Sequence, residues 1–169
     1  MYAWKLMQSL ALADRHGWPR FASMQNHYNL VYREEEREML PLCRQEGLGV
    51  IPWSPLARGL LAGTRRRMEA PATTRASSDA SMASQLYDAK EDWDVVEATV
   101  KVASARGIPP AEVALAWLLQ QPGVTAPIVG ATRLEHLESA VRALDVSLSQ
   151  AECQALEAPY RPHPVRGWL

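Results

Sequence analysis

Residues 48–59 read LGVIPWSPLARG, and this stretch decides the fold class. Its first half, LGVIPW, is a short and continuous apolar run, as is typical of a strand buried on both faces of a parallel sheet. FASMQNHYNL (21–30) begins with similar character and turns polar at Gln25, and VTAPIVG (124–130) is a third such run. We predict about three parallel strands with helices between them. This order fits a doubly wound α/β sheet or part of a (β/α) barrel.

Helical periodicity covers residues 1–16, 33–47, 91–106 and 110–121. The first of these helices has its predicted apolar side at Trp4, Met7, Leu10 and Ala11, and Gly17 ends it. Two further helices are predicted from the S/T-x-x-E spacing of a capping box. The two pairs are Thr132 with Glu135 and Ser149 with Glu152.

The composition is that of one ordinary globular domain, residues 1–169, with 47% apolar residues. A formal charge of -1 gives no electrostatic reason to bind nucleic acid or an acidic membrane, and no apolar run is long enough to span a bilayer. Cys43 and Cys153 make no disulfide framework, so a cytoplasmic location is expected. The four histidines lack metal-ligand spacing, so no metal site is expected. Residues 64–90 have few large apolar side chains, which indicates a long excursion loop.

Polar groups follow each predicted strand, at Gln25 with Asn26, at Trp53 with Ser54, and at Gly130 with Thr132. Ligands of parallel α/β folds bind at the carboxyl ends of strands, although strand ends are polar in most proteins anyway. Three such junctions together favour a binding site.

Arg133 is predicted to be the first helical residue after the N-cap Thr132. A cation at the positive end of a helix dipole is unfavourable unless an anion compensates it. A glycine before a helix N-terminus exposes backbone donors, so Arg133 fits a phosphate site, the alternative being a side chain that extends into solvent. The loop SPLARG is a weaker phosphate cradle with Arg58.

Other charged or large residues have simpler interpretations. Arg65, Arg66 and Arg67 could reach a phosphate, but a solvated face is more common. REEERE (33–38) is predicted to be a solvated face, and Met39 and Trp117 are predicted to be core residues.

Two long stretches resemble the aldo-keto reductases, specifically the bacterial branch akin to the potassium-channel β-subunits. They are SMQNHYNLVYREEEREMLPLCRQEGLGVIPWSPLARGLLAG and VALAWLLQQPGVTAPIVGATRLEHLESAV. The resemblance implies a (β/α)8 TIM barrel of which this chain is the C-terminal half, with NADP as cofactor and a small-molecule carbonyl as substrate. The hydride would pass from the nicotinamide to an aldehyde or ketone.

The resemblance also implies the cofactor contacts. Gln25 would bind the nicotinamide carboxamide and Trp53 would stack on its ring. The pyrophosphate would be lined by Ser54, Leu56, Arg58 and Gly59, and the adenosine end by Gly130, Thr132, Arg133 and His136. Arg133 would lie near the 2′-phosphate. A Glu and an Asn that commonly hold the adenine in the family correspond to Ser139 and Ala140, and residues 159–168 resemble the loop beside the substrate pocket.

The family's catalytic Asp, Tyr, Lys and His belong to the first half of the barrel, which is absent from this sequence by the resemblance. Tyr2, Lys5 and Tyr28 do not sit in its catalytic motifs, so none is predicted as proton donor. Three strands cannot close an eight-stranded barrel, which predicts a second copy or a complementary N-terminal half as partner. The alternatives are a non-catalytic nucleotide-binding or protein-interaction module, and an α/β fragment with no ligand.

Overall fold

The computed structural model describes residues 1–63, 86–87 and 90–165. The predicted excursion loop, with Arg65, Arg66 and Arg67, lies outside the described residues except at positions 86, 87 and 90. The helices are α1 (Ala3–His16), α2 (Met39–Gln45), α3 (Asp92–Arg106), α4 (Pro110–Leu119), α5 (Leu134–Arg142) and α6 (Gln150–Glu157). Short 3-10 turns lie at Glu34–Glu36, Ala57–Ala62 and Ala143–Asp145, the second of them broken by the non-helical residues Arg58 and Gly59. The strands are β1 (Ser23–Met24) and β2 (Gly49–Val50).

The sheet pairs β1 with β2 in parallel, with Ser23 opposite Gly49. Pairing continues beyond the strands, because Trp53 N donates to Asn26 O at 2.9 Å. The prediction of parallel pairing is therefore confirmed for these two strands. Helices cover most of the remaining described chain, so the architecture is α/β and consistent with part of a barrel.

The predicted third strand is wrong as a regular strand. Residues 124–130 run beside β2 through a single parallel bridge between Val50 and Val124, and Ile128 N donates to Pro52 O at 2.8 Å. Proline has no N–H, so Pro52 and Pro127 each interrupt a ladder that would otherwise extend. Ile128 is 43% exposed, so this segment is not buried on both faces as predicted.

Helix α1 ends as predicted, at Gly17 in the left-handed conformation with φ 63°. Its buried side is Leu6, Leu10 and Ala13, whereas the predicted Trp4 is 59% exposed. The helix has two apolar stripes, and spacing alone does not show which of them meets the core.

The core gathers around α4, where Pro110 is the first residue and seven of the following residues are buried, from Glu112 to Leu118. Trp117 is fully buried and Met39 is buried, which confirms both as core residues. Arg33 lies between two aromatic rings, 5.3 Å from the ring centre of Trp117 and 5.3 Å from that of Tyr160.

The expected solvated face at residues 33–38 is wrong at Glu34 and Glu35, whereas Arg37 and Glu38 are exposed. Glu34 and Glu35 are each only 8% exposed. Glu34 accepts hydrogen bonds from Tyr160 Oη at 2.6 Å and from His163 N at 2.8 Å, which ties the C-terminal segment to this turn. Burial alone would raise the pKa of Glu34, but these bonds together with Arg37 lower it. Hydrogen bonds from Tyr160 and His163, which lie far away in sequence, offset the cost of burying Glu34. A run of charged residues does not reveal such partners.

Candidate functional site

Three carboxyl ends lie side by side at one edge of the sheet. A parallel bridge joins His27 to Trp53, and the segment that ends at Gly130 is bonded to β2 at Val50 and Pro52. The junctions that sequence reasoning singled out are therefore neighbours in space. Ligands of parallel α/β folds bind at such strand ends.

The turn of residues 54–59 has an unusual backbone. Ser54, Ala57 and Arg58 have φ values of 53°, 47° and 53°, which non-glycine residues rarely adopt. Ala57, Arg58 and Gly59 follow one another in positive φ. Strained backbone of this kind clusters at functional sites, and successive amides in such turns form anion-binding concavities. This 54–59 turn directly follows Trp53.

An aromatic stack stands behind the turn. The His27 ring lies between Tyr32 and Trp53, with ring centres 4.1 Å apart on either side and interplanar angles of 10° and 13°. His27 Nε2 is 2.5 Å from Tyr87 Oη. Because His27 covers one face of the Trp53 ring, a planar ligand can stack only on the opposite face.

Asn29 connects the stack to the turn. Its Nδ2 donates to Ser54 O at 2.9 Å and to Tyr87 Oη at 3.1 Å. Its Oδ1 accepts from the backbone N–H groups of Val31 and Tyr32, each at 3.0 Å. Burial raises the pKa of Tyr87, so its hydroxyl stays neutral and serves as a hydrogen-bonding group.

The predicted site residues fall into two groups. Trp53, Ser54, Leu56, Arg58 and Gly59 are half-buried in one turn, and Gln25 is exposed beside it. Gly130, Thr132, Arg133 and His136 are exposed around the start of α5.

The predicted capping box at Thr132 is wrong. Helix α5 begins at Leu134, and its N-cap is Arg133, in extended conformation and without a side-chain cap bond. The helix starts one residue later than predicted, which moves Thr132 outside the cap position. Arg133 still lies at the helix N-terminus, one position earlier than expected. The second box, Ser149 with Glu152, is confirmed, since both of its hydrogen bonds are present.

The C-terminal segment packs near the stack. His163 Nε2 lies 2.7 Å from Asp92 Oδ1, with both side chains almost fully buried, and the His163 ring centre is 6.2 Å from that of Tyr32. The segment expected to lie beside the substrate pocket is thus anchored to α3 and to the 33–36 turn. Its last residues, from 166, lie outside the described chain.

Sequence reasoning missed three residues of this site: His27, Asn29 and Tyr87. His27 and Asn29 are polar residues that alternate with apolar ones in an otherwise buried stretch, and both are buried in the structure. That alternation was the available signal. Tyr87 lies in a stretch of low apolar content, where nothing in the sequence distinguishes it.

Tyr28 is not suited to donate a proton. Its hydroxyl donates to Glu36 Oε1 at 2.7 Å, and the side chain is 1% exposed. Burial, reinforced by Glu36, raises the pKa of Tyr28 far above its usual value. That Tyr28 is not the proton donor stays a prediction.

No helix among the described residues has the length and apolar character to cross a membrane. The chain matches the family model described as the aldo/keto reductase family over residues 1–161. It is 43% identical to an aldo-keto reductase of Fusarium vanettenii over 98% of this chain and 43% of that protein. It is also 40% identical to versiconal hemiacetal acetate reductase of Aspergillus parasiticus, over 98% of this chain and 48% of that protein.

These relatives are fungal, which corrects the bacterial branch expected from the sequence. The chain spans about half the length of the curated relatives it matches, covering 43% and 48% of the two proteins named. The match of the family model to nearly the whole chain shows that this protein belongs to the aldo/keto reductase family.

Proposed function

We propose that the chain is the cofactor-binding half of an NADPH-dependent aldo-keto reductase that reduces small aldehydes or ketones. The observation that carries the proposal is the sheet edge where Trp53 leads directly into the left-handed 54–59 turn. Family membership supports oxidoreductase chemistry. The preference for NADPH and the reaction itself are our inference. A cytoplasmic location suits the two free cysteines, Cys43 and Cys153.

The residues present fit a dinucleotide. Trp53 offers one ring face to a planar nicotinamide, since His27 covers the other. The Arg58 guanidinium and the backbone amides of Leu56 and Arg58 would bind the diphosphate, since Ala57 N and Gly59 N donate within the turn. Gln25 would bind the carboxamide, and Leu56 and Gly59 would line the same stretch. Thr132, Gly130 and His136 would surround the adenosine end, with Arg133 facing the 2′-phosphate.

Bound NADPH supplies the hydride. The described residues bind and orient, and we assign none of them as the proton donor. General acid–base catalysis contributes typically about 10² to 10⁴ in rate, so the chain alone should not reduce aldehydes efficiently. The complementary half of a barrel would supply the donor.

A second candidate is a non-catalytic nucleotide-binding or protein-interaction module. The observation that favours it is the buried, carboxylate-bonded Tyr28, which leaves this tyrosine unsuited to donate a proton. Carbonyl reduction by the chain mixed with an N-terminal half from a relative supports the reductase. Nucleotide binding without turnover in that mixture supports the module.

Arg133 provides the sharpest test of the cofactor. A charge-assisted pair with the 2′-phosphate is worth roughly 1.5 to 3 kcal/mol, or about 10- to 100-fold in affinity. Arg133→Ala should therefore weaken NADPH binding by that factor and leave NADH binding nearly unchanged, and the effect should shrink as salt rises. Titration calorimetry with both nucleotides measures this.

The matched control is Arg15→Ala, an exposed arginine on α1. It should change neither affinity. Equal losses of NADPH and NADH affinity in Arg133→Ala would mean that Arg133 supports the structure and contacts no 2′-phosphate.

A further inference from the structure

We propose that Asn29 is a positioning residue that holds the 54–59 turn in the shape that receives the cofactor diphosphate. The inference rests on the proposed function, because that function places the diphosphate at this turn. The cofactor contacts that the resemblance implies do not include Asn29. The evidence for this positioning role is the burial of Asn29 and its hydrogen bonds.

The Asn29 side chain is completely buried and held rigidly. Its Oδ1 accepts two backbone hydrogen bonds, from Val31 N and Tyr32 N, within a tight turn that also pairs the backbones of Asn29 and Tyr32. An amide oxygen held by two donors leaves the amide nitrogen pointing the other way. The orientation of Nδ2 is therefore set before the 54–59 turn meets it.

The target of Nδ2 is the carbonyl of the strained residue Ser54. Ser54 O accepts from Asn29 Nδ2 at 2.9 Å and from Ala57 N at 2.9 Å. A carbonyl oxygen has two lone pairs, so both are used. The first bond fixes Ser54 at φ 53°, and the second closes the turn onto Ala57. Asn29 thus ties the beginning of the turn to the core.

The consequence for the ligand follows from geometry. The backbone angles at Ser54, Ala57 and Arg58 set the direction of the amides in the turn. These angles are unfavourable for non-glycine residues unless the surrounding structure imposes them. Loss of the Nδ2 donor removes one constraint and leaves the Ser54 carbonyl with one partner. The turn should then open more often, and the amides should meet a diphosphate less well.

The variant Asn29→Asp tests this, because it preserves the shape and the Oδ1 acceptor and replaces the Nδ2 donor with a carboxyl oxygen. Gln120→Glu makes the same chemical change at an exposed amide and is the control. The Gln120 side-chain amide also holds backbone groups through both its oxygen and its nitrogen. It accepts from Leu148 N at 2.9 Å and donates to Leu148 O at 3.1 Å. Gln120 plays no part in the proposed site.

Amide hydrogen exchange on the chain alone gives the first readout. In Asn29→Asp, exchange at the N–H groups of Ala57 and Gly59 should rise about 5- to 100-fold relative to helix α4, as expected for a buried acceptor that loses its donor. Gln120→Glu should leave these amides unchanged. Adding Ser54→Gly should restore part of the protection, because glycine adopts positive φ without strain.

Binding gives the second readout. Asn29→Asp should weaken NADPH by a similar factor and weaken 2′,5′-ADP less, because 2′,5′-ADP keeps only the adenosine-side phosphate of the diphosphate. Equal weakening of both ligands, or unchanged exchange at Ala57 and Gly59, overturns the positioning role.

Two further outcomes are decisive. If the wild-type chain binds neither nucleotide, the proposed cofactor site fails in this chain, and the exchange measurement alone decides the role of Asn29. If Asn29→Asp does not fold, Asn29→Ser replaces it. The serine hydroxyl can still accept from Val31 N and Tyr32 N but is too short to donate to Ser54 O, and it adds no charge, so exchange in the turn should rise, and no rise overturns the proposal.

Discussion

At the scale of single residues, the site depends on polar side chains that are buried and paired. The Asn29 side chain makes five hydrogen bonds, and His27 is held between two rings and beside Tyr87. Buried polar groups are costly unless satisfied, and a satisfied network specifies one arrangement. The shape of the 54–59 turn therefore depends in part on polar side chains buried behind it.

Glu35 makes stability depend on pH. Burial raises its pKa to about 7, although the nearby N-terminal ammonium of Met1 opposes the shift. The folded protein thus favours the protonated acid, so this stabilisation is complete below pH 4.5 and is lost as pH rises through 7. We expect Glu35→Gln to raise the free energy of unfolding at pH 8 by up to about 3 kcal/mol relative to wild type, with little gain at pH 4.5.

Urea denaturation at both pH values measures this difference. Glu138→Gln, at an exposed position on α5, is the control and should show no pH-dependent gain. A gain from Glu35→Gln of the same size at both pH values would argue against a protonated Glu35 in the folded state.

At the scale of elements, two capping motifs of identical spacing behave differently. Ser149 accepts from Glu152 N and Glu152 accepts from Ser149 N, so this box forms, whereas α5 begins after Arg133 without a side-chain cap. The box at Ser149 has additional support, because Glu152 also pairs with Arg106. The tertiary partner Arg106 strengthens the cap at Ser149. The S/T-x-x-E spacing, which is the same in both pairs, does not show which of the two capping boxes forms.

The pair offers a matched comparison. Ser149→Ala should cost about 1 kcal/mol of stability, the usual cost of losing an N-cap side chain. Thr132→Ala should stay within about 0.5 kcal/mol, as is typical of surface substitutions. Denaturant midpoints for the two variants and wild type measure the difference. Equal losses would show that Thr132 caps α5 in solution after all.

At the scale of the whole molecule, large apolar side chains remain exposed on α5 and in the first 21 residues. Helix α5 has no buried residue, and Leu134, Leu137 and Val141 form one stripe that is 68%, 52% and 55% exposed. Trp4 on α1 and Phe21 shortly before β1 are also exposed. Apolar stripes of this kind mark interaction surfaces.

We therefore expect the purified chain to self-associate. Multi-angle light scattering should show a dimer or larger species, and Leu137→Glu should shift it towards monomer because a charge cannot be buried there without a partner. Leu12→Glu, an exposed leucine on α1, controls for the added charge. A monodisperse wild-type monomer with a sharp thermal transition would contradict the expectation.

An N-terminal half from a relative provides the complementary measurement. It should compete with self-association and should give a one-to-one complex if the same surface closes a barrel. Leu137→Glu should weaken both assemblies.

The sequence by itself determined the kinds of element and where most of them lie. Apolar runs specify β1 and β2, Pro110 and the glycines at 17 and 107 bound three helices, and the fully buried Trp117 could be assigned to the core. It also identified strand ends that the structure brings to one edge. These features depend on local propensity and on hydrophobic periodicity, and both can be recognised within a short stretch of sequence.

Only the tertiary structure decided which apolar stripe of α1 is buried, that Glu34 and Glu35 lie inside, and that residues 124–130 pair through one bridge. It alone revealed Asn29 and Tyr87 behind the 54–59 turn. The physical reason is the same in each case. Each of these features depends on partners that are distant in the chain. Tyr160 stabilises the buried Glu34, and Asn29 stabilises the strained turn at Ser54. No local sequence pattern contains those partners.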